Sequence, residues 1–230
     1  MRGSRSQPRA ALFDLDGTLV DREPLMAEAL RSVLTERVGT GDLDWLSQTV
    51  GRSWVDVHAA IEATHGLGMG FDQLMDSVLG EAAVLVADGF PTRVCTGGRE
   101  LIERLAARGV AVAIVTGSLG REVPAVLERV GVSELVSGVF AAEDYGPGKP
   151  DPSCYLQASR SLSAEPGSCL VFEDSTHGVA AGLAAGMWVI ANDDANPPIG
   201  HPARQDLSAA HLVVSDLSQL TDDDLLVPLV

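Results

Sequence analysis

The sequence predicts an α/β protein: a doubly wound parallel sheet carrying a small, all-helical inserted domain. Two observations predict it. Short apolar runs of strand length alternate with amphipathic stretches of helical length over most of the chain, and one segment, about residues 22–87, breaks that rhythm with helices alone. Strands that alternate with helices pair in parallel and are covered on both faces.

The first strand is read at residues 10–13, which run straight into an acid. Ahead of it, residues 1–10 carry Arg2, Arg5 and Arg9 without the apolar stretch of a signal peptide, and read as a short disordered lead-in. The helical segment follows, with helices expected over 24–38, 43–50, 54–65 and 71–86 and glycine breakers at 39–41 and 66–70. Linkers at 20–23 and 88–91 bound it, so the expected division is a core of 1–21 and 88–230 and a cap of 22–87. An insert directly after the first strand is placed to cover the sheet's C-terminal edge, where open α/β sheets bind ligands. The core resumes with the apolar face of Leu101, Ile102 and Leu105, stopped by Gly109, and a strand at 110–115. Val123, Val126, Leu127 and Val130 mark the next helix, stopped by Gly131, before a strand at 138–141. A strand at 169–172, a stripe of Val179, Leu183 and Met187, a strand at 187–191 and an edge strand at 211–214 complete the alternation.

Composition narrows the function. The chain has 230 residues, 46% of them hydrophobic, enough for a sizeable core, but no run reaches the roughly 18 apolar residues a membrane helix needs. The net charge is −16, from 32 acidic and 16 basic residues, which argues against nucleic-acid backbones and anionic membranes as partners. An anionic substrate would therefore need a metal or a local cation. Cys95, Cys154 and Cys169 are odd in number and form no CxxC pair, as expected of reduced thiols in the cytoplasm. Fifteen of the basic residues are arginine; the single lysine, Lys149, lies in Gly148-Lys149-Pro150-Asp151-Pro152.

Four local features carry chemistry. Asp14-Leu15-Asp16-Gly17 sets two carboxylates and a turn-permitting glycine at the end of a strand. A turn or a calcium loop has the same start, but the calcium loop needs a glutamate at its twelfth position, where this chain has Pro24 and Leu25 nearby. Glu173-Asp174 ends another apolar strand, and also suits ordinary capping of the helix that Ser175 opens. Thr116-Gly117-Ser118 offers hydroxyls and backbone N–H groups at a helix start, an anion site that many strand-to-helix turns share. Lys149 is either a solvated loop residue or, held by flanking prolines, a fixed cation. Parallel strands ending at one edge would bring Asp14, Asp16 and Asp174 together, three hard oxygen donors suited to Mg²⁺.

In order and spacing these residues resemble the four motifs of the haloacid-dehalogenase superfamily, over residues 10 to about 191, and most of all its members with a helical cap between the first and second motifs. That resemblance implies a Rossmann-like core and a phosphatase acting on a small phosphorylated metabolite, such as a sugar phosphate or phosphoglycolate, as a monomer or homodimer. It implies Asp14 as the nucleophile that forms an aspartyl-phosphate, Asp16 as general acid and base, and Thr116, Gly117, Ser118 and Lys149 as phosphoryl ligands. It implies Mg²⁺ held by Asp14, Asp16 through its carbonyl, Asp174 and, directly or through water, Glu173.

Related chemistries are weighed on single residues. Dehalogenases resemble the chain but lack an acid at the position of Asp16, and phosphonoacetaldehyde hydrolases need a cap lysine that is absent here. β-Phosphoglucomutases share the core residues but carry a histidine where this chain has Met26 and an arginine near Trp54, a role Arg52 is close enough to take. A non-catalytic phospholigand-binding module should have lost a nucleophile, acid or metal ligand, and none is missing. Arg22, Arg52, Ser53, Trp54, His58 and His65 are the candidate substrate contacts of the cap.

Overall fold

A computed structural model describes residues 5–39 and 54–228. They form two compact units, one of residues 1–21, 94–198 and 204–230, the other of 22–93 and 199–203.

The larger unit is a Rossmann-like α/β core. Its strands are β2 (Ala10–Phe13), β5 (Ala111–Val115), β6 (Gly138–Phe140), β7 (Cys169–Glu173), β8 (Trp188–Asn192) and β9 (Leu212–Val214). They make one six-stranded sheet in the order β6-β5-β2-β7-β8-β9, every pair parallel. β2, β5 and β7 are buried along almost their whole length, as expected of central strands covered on both faces. Side chains alternate across the sheet. Ala11, Phe13, Val112, Ile114, Leu170 and Phe172 face one layer, with Phe13 and Phe172 stacked at 4.3 Å. Helices α4 (Gly98–Ala106) and α5 (Val123–Val130) cover that layer. Ala10, Leu12, Ala113, Val115, Cys169 and Val171 face the other, under α6 (Ser153–Ser161) and α7 (Thr176–Ala184).

Gly109, Gly131 and Gly186 end helices in the left-handed region, with φ of 75°, 80° and 74°. In each case the apolar residue that follows turns its N–H back five residues: Val110 to Leu105 O, Val132 to Leu127 O and Met187 to Gly182 O. This closes the helix end and buries an apolar side chain beneath it. It also explains why strands expected from 110 and 187 begin one residue later: Val110 and Met187 are spent on the turn.

Two parts of the sequence reading are corrected. The lead-in is not wholly disordered: Arg5–Ser6 (β1) pairs antiparallel with Val227–Pro228 (β10). Helix α6 had no predicted counterpart, because its buried face, Cys154, Tyr155, Ala158 and Ser159, has no stripe of large aliphatic side chains. Val20–Asp21 (β3) and Arg93–Val94 (β4) pair as a separate ribbon where the chain leaves and re-enters the core.

In the second unit the described residues form helices α1 (Glu23–Val38), α2 (Trp54–His65) and α3 (Phe71–Ala87). Leu30, Leu34, Ile61, Leu74 and Val78 are at the centre of its own apolar core, which includes Met26. The helix expected at 43–50 and the residues Arg52 and Ser53 lie outside the described residues. Among the described residues no helix is long and apolar enough to cross a membrane.

Candidate active site

The sheet order places three motifs side by side. β2 lies between β5 and β7, so Asp14, Thr116-Gly117-Ser118 and Glu173-Asp174 all leave the same edge. The Asp14 N–H still donates to Phe172 O at 2.9 Å, which fixes its backbone beside Glu173.

Lys149 joins these strands from outside the sheet. Its Nζ donates to Asp14 Oδ1 at 2.5 Å, to Glu173 Oε1 at 2.6 Å and to Val115 O at 3.0 Å. An ammonium has three donors, and three acceptors from three adjacent strands or their ends take them. The Tyr155 ring lies 5.1 Å from the nitrogen, within reach of a cation–π contact. Lys149, its side chain only 11% exposed, is therefore a fixed cation and not a solvated loop residue. Burial alone would lower its pKa, but Asp14 and Glu173 outweigh that and hold it well above the ordinary value.

Glu173 is fully buried and fully partnered. Oε1 also accepts from Tyr155 OH at 2.7 Å, and Oε2 accepts from the backbone N–H groups of Asp174 and Ser175 and from the Ser175 hydroxyl. Burial would raise its pKa, yet Lys149 and these donors hold it below the usual glutamate value. Asp14 goes the other way. Burial pushes it up to about 7, and Glu173 and Asp16 add to the rise that Lys149 opposes.

Asp16 and Asp174 have different partners. Ser118 Oγ donates to Asp16 Oδ2 at 2.6 Å. Thr18 Oγ1 donates to Asp174 Oδ1 at 3.1 Å. The Asp174 carboxylate lies directly over Gly17, whose φ is 89°: a Cβ there would stand 1.9 Å from Asp174 Oδ2. Only glycine suits that position, for its backbone and for the space. Thr116 is buried; its Oγ1 accepts from the Ser118 N–H at 3.0 Å and its carbonyl from Tyr145 OH at 2.6 Å. Gly117 borders open space.

Among the described residues no three His, Cys, Asp or Glu side chains group closely enough to hold a metal by themselves. A hard cation here would rely on the Asp14 and Asp174 carboxylates, a backbone oxygen such as that of Asp16, water and substrate, which is how Mg²⁺ is commonly held. The donor chemistry fits: all are oxygens, and a buried carboxyl raised to about 7 is a group a divalent cation would favour in its charged form. Glu173 fits poorly as a direct ligand, since both its oxygens are already taken.

Sequence reasoning missed Thr18, Tyr145, Tyr155 and Asn192. The tyrosines left a signal: they are the only two in the chain, and they bracket Lys149. In the helical unit, His58 bonds Met69 O at 2.7 Å and meets Phe71 edge-on, so it serves the packing of that unit.

Comparison with known proteins gives one family. A haloacid dehalogenase-like hydrolase family model matches residues 8–186. A β-phosphoglucomutase of Mycobacterium bovis is 30% identical, over 95% of this chain and 93% of that protein. A validoxylamine A 7'-phosphate phosphatase of Streptomyces hygroscopicus is 31% identical, over 79% of this chain and 84% of that protein. Among solved structures, CbbY of Rhodobacter sphaeroides in complex with phosphate has the same fold, with a TM-score of 0.77 at 21% identity over 93% and 96% of the two chains.

Proposed function

The chain belongs to the haloacid dehalogenase-like hydrolase family, an enzyme family of phosphoric-monoester chemistry, and from that premise we propose that it is a Mg²⁺-dependent cytoplasmic phosphatase of a small phosphorylated metabolite. The observation that carries the reading is Lys149 clamped between Asp14 and Glu173 beside the Thr116–Ser118 turn. Such a site gathers a carboxylate, a fixed cation and hydroxyls in the core of a protein that is otherwise strongly acidic.

Asp14 attacks phosphorus and becomes an aspartyl-phosphate. Asp16, oriented by Ser118, gives its proton to the leaving oxygen and then takes one from the water that hydrolyses the intermediate. Thr116 holds a phosphoryl oxygen; Lys149, its three donors taken by Asp14, Glu173 and Val115 O, supplies its charge to the phosphoryl group, and Glu173 keeps it charged and in place. Asp14, Asp174 and the Asp16 carbonyl would hold Mg²⁺, which when bound would offset the repulsion of two anions. The three buried cysteines form no disulfide, which suits a reducing compartment.

The test is hydrolysis of p-nitrophenyl phosphate and a panel of phosphorylated metabolites with and without Mg²⁺. Chelation should abolish turnover, and Ca²⁺ should support it poorly. Full activity after exhaustive chelation would overturn the metal assignment. A mutase reading is favoured by the 30% identity to a β-phosphoglucomutase. Against it, Met26, which stands where mutases carry a histidine, is a buried core residue of the helical unit. Incubation with β-glucose 1-phosphate, glucose 1,6-bisphosphate and Mg²⁺ decides: rapid glucose 6-phosphate formation, with little phosphate released from any metabolite, would replace the phosphatase with the mutase.

A further inference from the structure

Asn192 is the last residue of β8 and is fully buried, where an amide is costly unless its bonds are made. Its bonds are made to an unusual pair of partners. Nδ2 donates to Thr18 O at 3.2 Å, and Oδ1 accepts from the Asp194 N–H at 3.3 Å. Thr18 is itself fully buried, and its hydroxyl is the donor to Asp174 Oδ1. Asp194 in turn accepts the Thr96 N–H at 2.7 Å. One path of hydrogen bonds, alternating between side chain and backbone, thus runs from the segment after β4, through the Asp194 carboxylate and N–H, the Asn192 amide, and the Thr18 carbonyl and hydroxyl, to Asp174.

The same segment grips the Asp14–Val20 loop a second time. The Cys95 N–H donates to Leu19 O at 2.8 Å, and Cys95 Sγ lies 3.5 Å from Gly17 O. Gly17 to Leu19 is the stretch over which Asp174 lies, so its backbone is fixed on one side by Cys95 and on the other by Asn192. Neither is an acid or a hydroxyl of the four motifs, and both come from distant parts of the chain.

We propose that Asn192 is a positioning residue for Asp174, acting through Thr18, and that it sets the affinity of the site for Mg²⁺ more than the rate of the chemical step. This rests on the reading of Asp174 as a Mg²⁺ ligand. The physical reason is that the Thr18 hydroxyl holds one oxygen of the Asp174 carboxylate, and Asn192 holds the Thr18 backbone by its carbonyl. Direct hydrogen-bond partners of a metal ligand, as Thr18 would be, typically alter affinity by about 10–100-fold, and Asn192, one bond further out, should act at the lower end of that range.

The experiment measures Mg²⁺ binding twice. One readout is the Mg²⁺ dependence of p-nitrophenyl phosphate turnover; the other, free of turnover, is the Mg²⁺ dependence of the thermal midpoint without substrate. Asn192→Ala should raise the half-saturating Mg²⁺ by about tenfold in both, while kcat at saturating Mg²⁺ falls less than threefold. In a Thr18→Val background, where the bond to Asp174 is already gone, the same change should add less than twofold, because residues acting in series are not additive. Asn192→Ser, with a smaller cavity, is read in the same way if the alanine variant does not fold. A shift under twofold in the wild-type background, or a full tenfold shift that persists beside Thr18→Val, would overturn the proposal. Wild-type protein with no saturable Mg²⁺ response in either readout would remove the metal reading itself, and that result is visible before any variant is made.

Discussion

At the scale of single residues, the distinction that matters is between a fixed point charge and a charge that has room to move. Lys149 spends its three donors on Asp14, Glu173 and Val115 O inside a buried space. A guanidinium is planar, wider, and cannot present three donors from one atom. Lys149→Arg should therefore lower kcat/KM by at least a hundredfold although the charge is kept. Steady-state kinetics on the variant check this, and near-normal efficiency would show that the three bonds are incidental. Asp14→Asn keeps the shape but loses the nucleophile, so turnover should fall below a hundredth of wild type with the unfolding midpoint little changed or raised, since a buried carboxyl pushed up to about 7 is an uneasy charge. Residual activity above a tenth, in protein free of deamidation, would remove the nucleophile assignment. Asp14, Asp16, Lys149 and Asp174 were legible because acids at strand ends and a solitary lysine between prolines are costly without a reason. Glu173's true partners were not legible. Only the fold brings Tyr155, eighteen residues earlier in the chain, against its Oε1, and nothing in a linear pattern separates an acid facing a metal from one that anchors a lysine.

At the scale of elements, the first turn of α7 packs against the end of β7 with little tolerance. A Cβ on Gly178 would stand 1.9 Å from the Glu173 carboxyl carbon and Oε1 and 2.0 Å from Oε2. Glu173 cannot retreat, since it is held by Lys149, Tyr155, Ser175 and two backbone N–H groups. In an unconstrained helix Gly→Ala would stabilise by up to about 1 kcal/mol. Here overpacking should win, and Gly178→Ala should cost about 1–3 kcal/mol and reduce turnover as well, because Glu173 and Lys149 must shift together. Urea unfolding and kinetics on one preparation check both, and a stabilised, fully active variant would show that α7 moves aside freely. Elements marked by period and punctuation were readable: β2 matches its expected limits, α2 ends at His65 as expected, and α1 and α3 differ by one residue. The elements that were missed lack that marking. Helix α6 buries small side chains, and β1 exists only because Val227–Pro228 returns to pair with it, which is a tertiary event.

At the scale of the whole molecule, the governing fact is the net charge of −16 on a protein read as a binder of phosphate dianions. Composition exposed this conflict, and Lys149 answers it only locally. Several arginines are already spoken for: Arg104 and Arg108 by Asp222, and Arg204 by Asp193. Exposed pairs of this kind contribute little stability, but they leave less positive charge to draw an anion in from a distance. Beyond a Debye length of about 10 Å at 0.1 M salt, an approaching substrate should therefore meet a repulsive field, and meet Lys149 and the proposed Mg²⁺ only at close range. Added monovalent salt should screen the repulsion more than the buried attraction. With free Mg²⁺ held saturating, raising KCl from low salt to about 0.15 M, where the Debye length is about 8 Å, should lower KM for a phosphorylated metabolite by about two- to fivefold. kcat should stay nearly constant, because buried pairs are screened much less. A KM that rises with salt would mean the opposite: a positive field around the entrance strong enough to steer the anion despite the acidic surface. A neutral-pH titration with inorganic phosphate as competitive inhibitor separates binding from turnover, and its inhibition constant should fall over the same salt range as KM does.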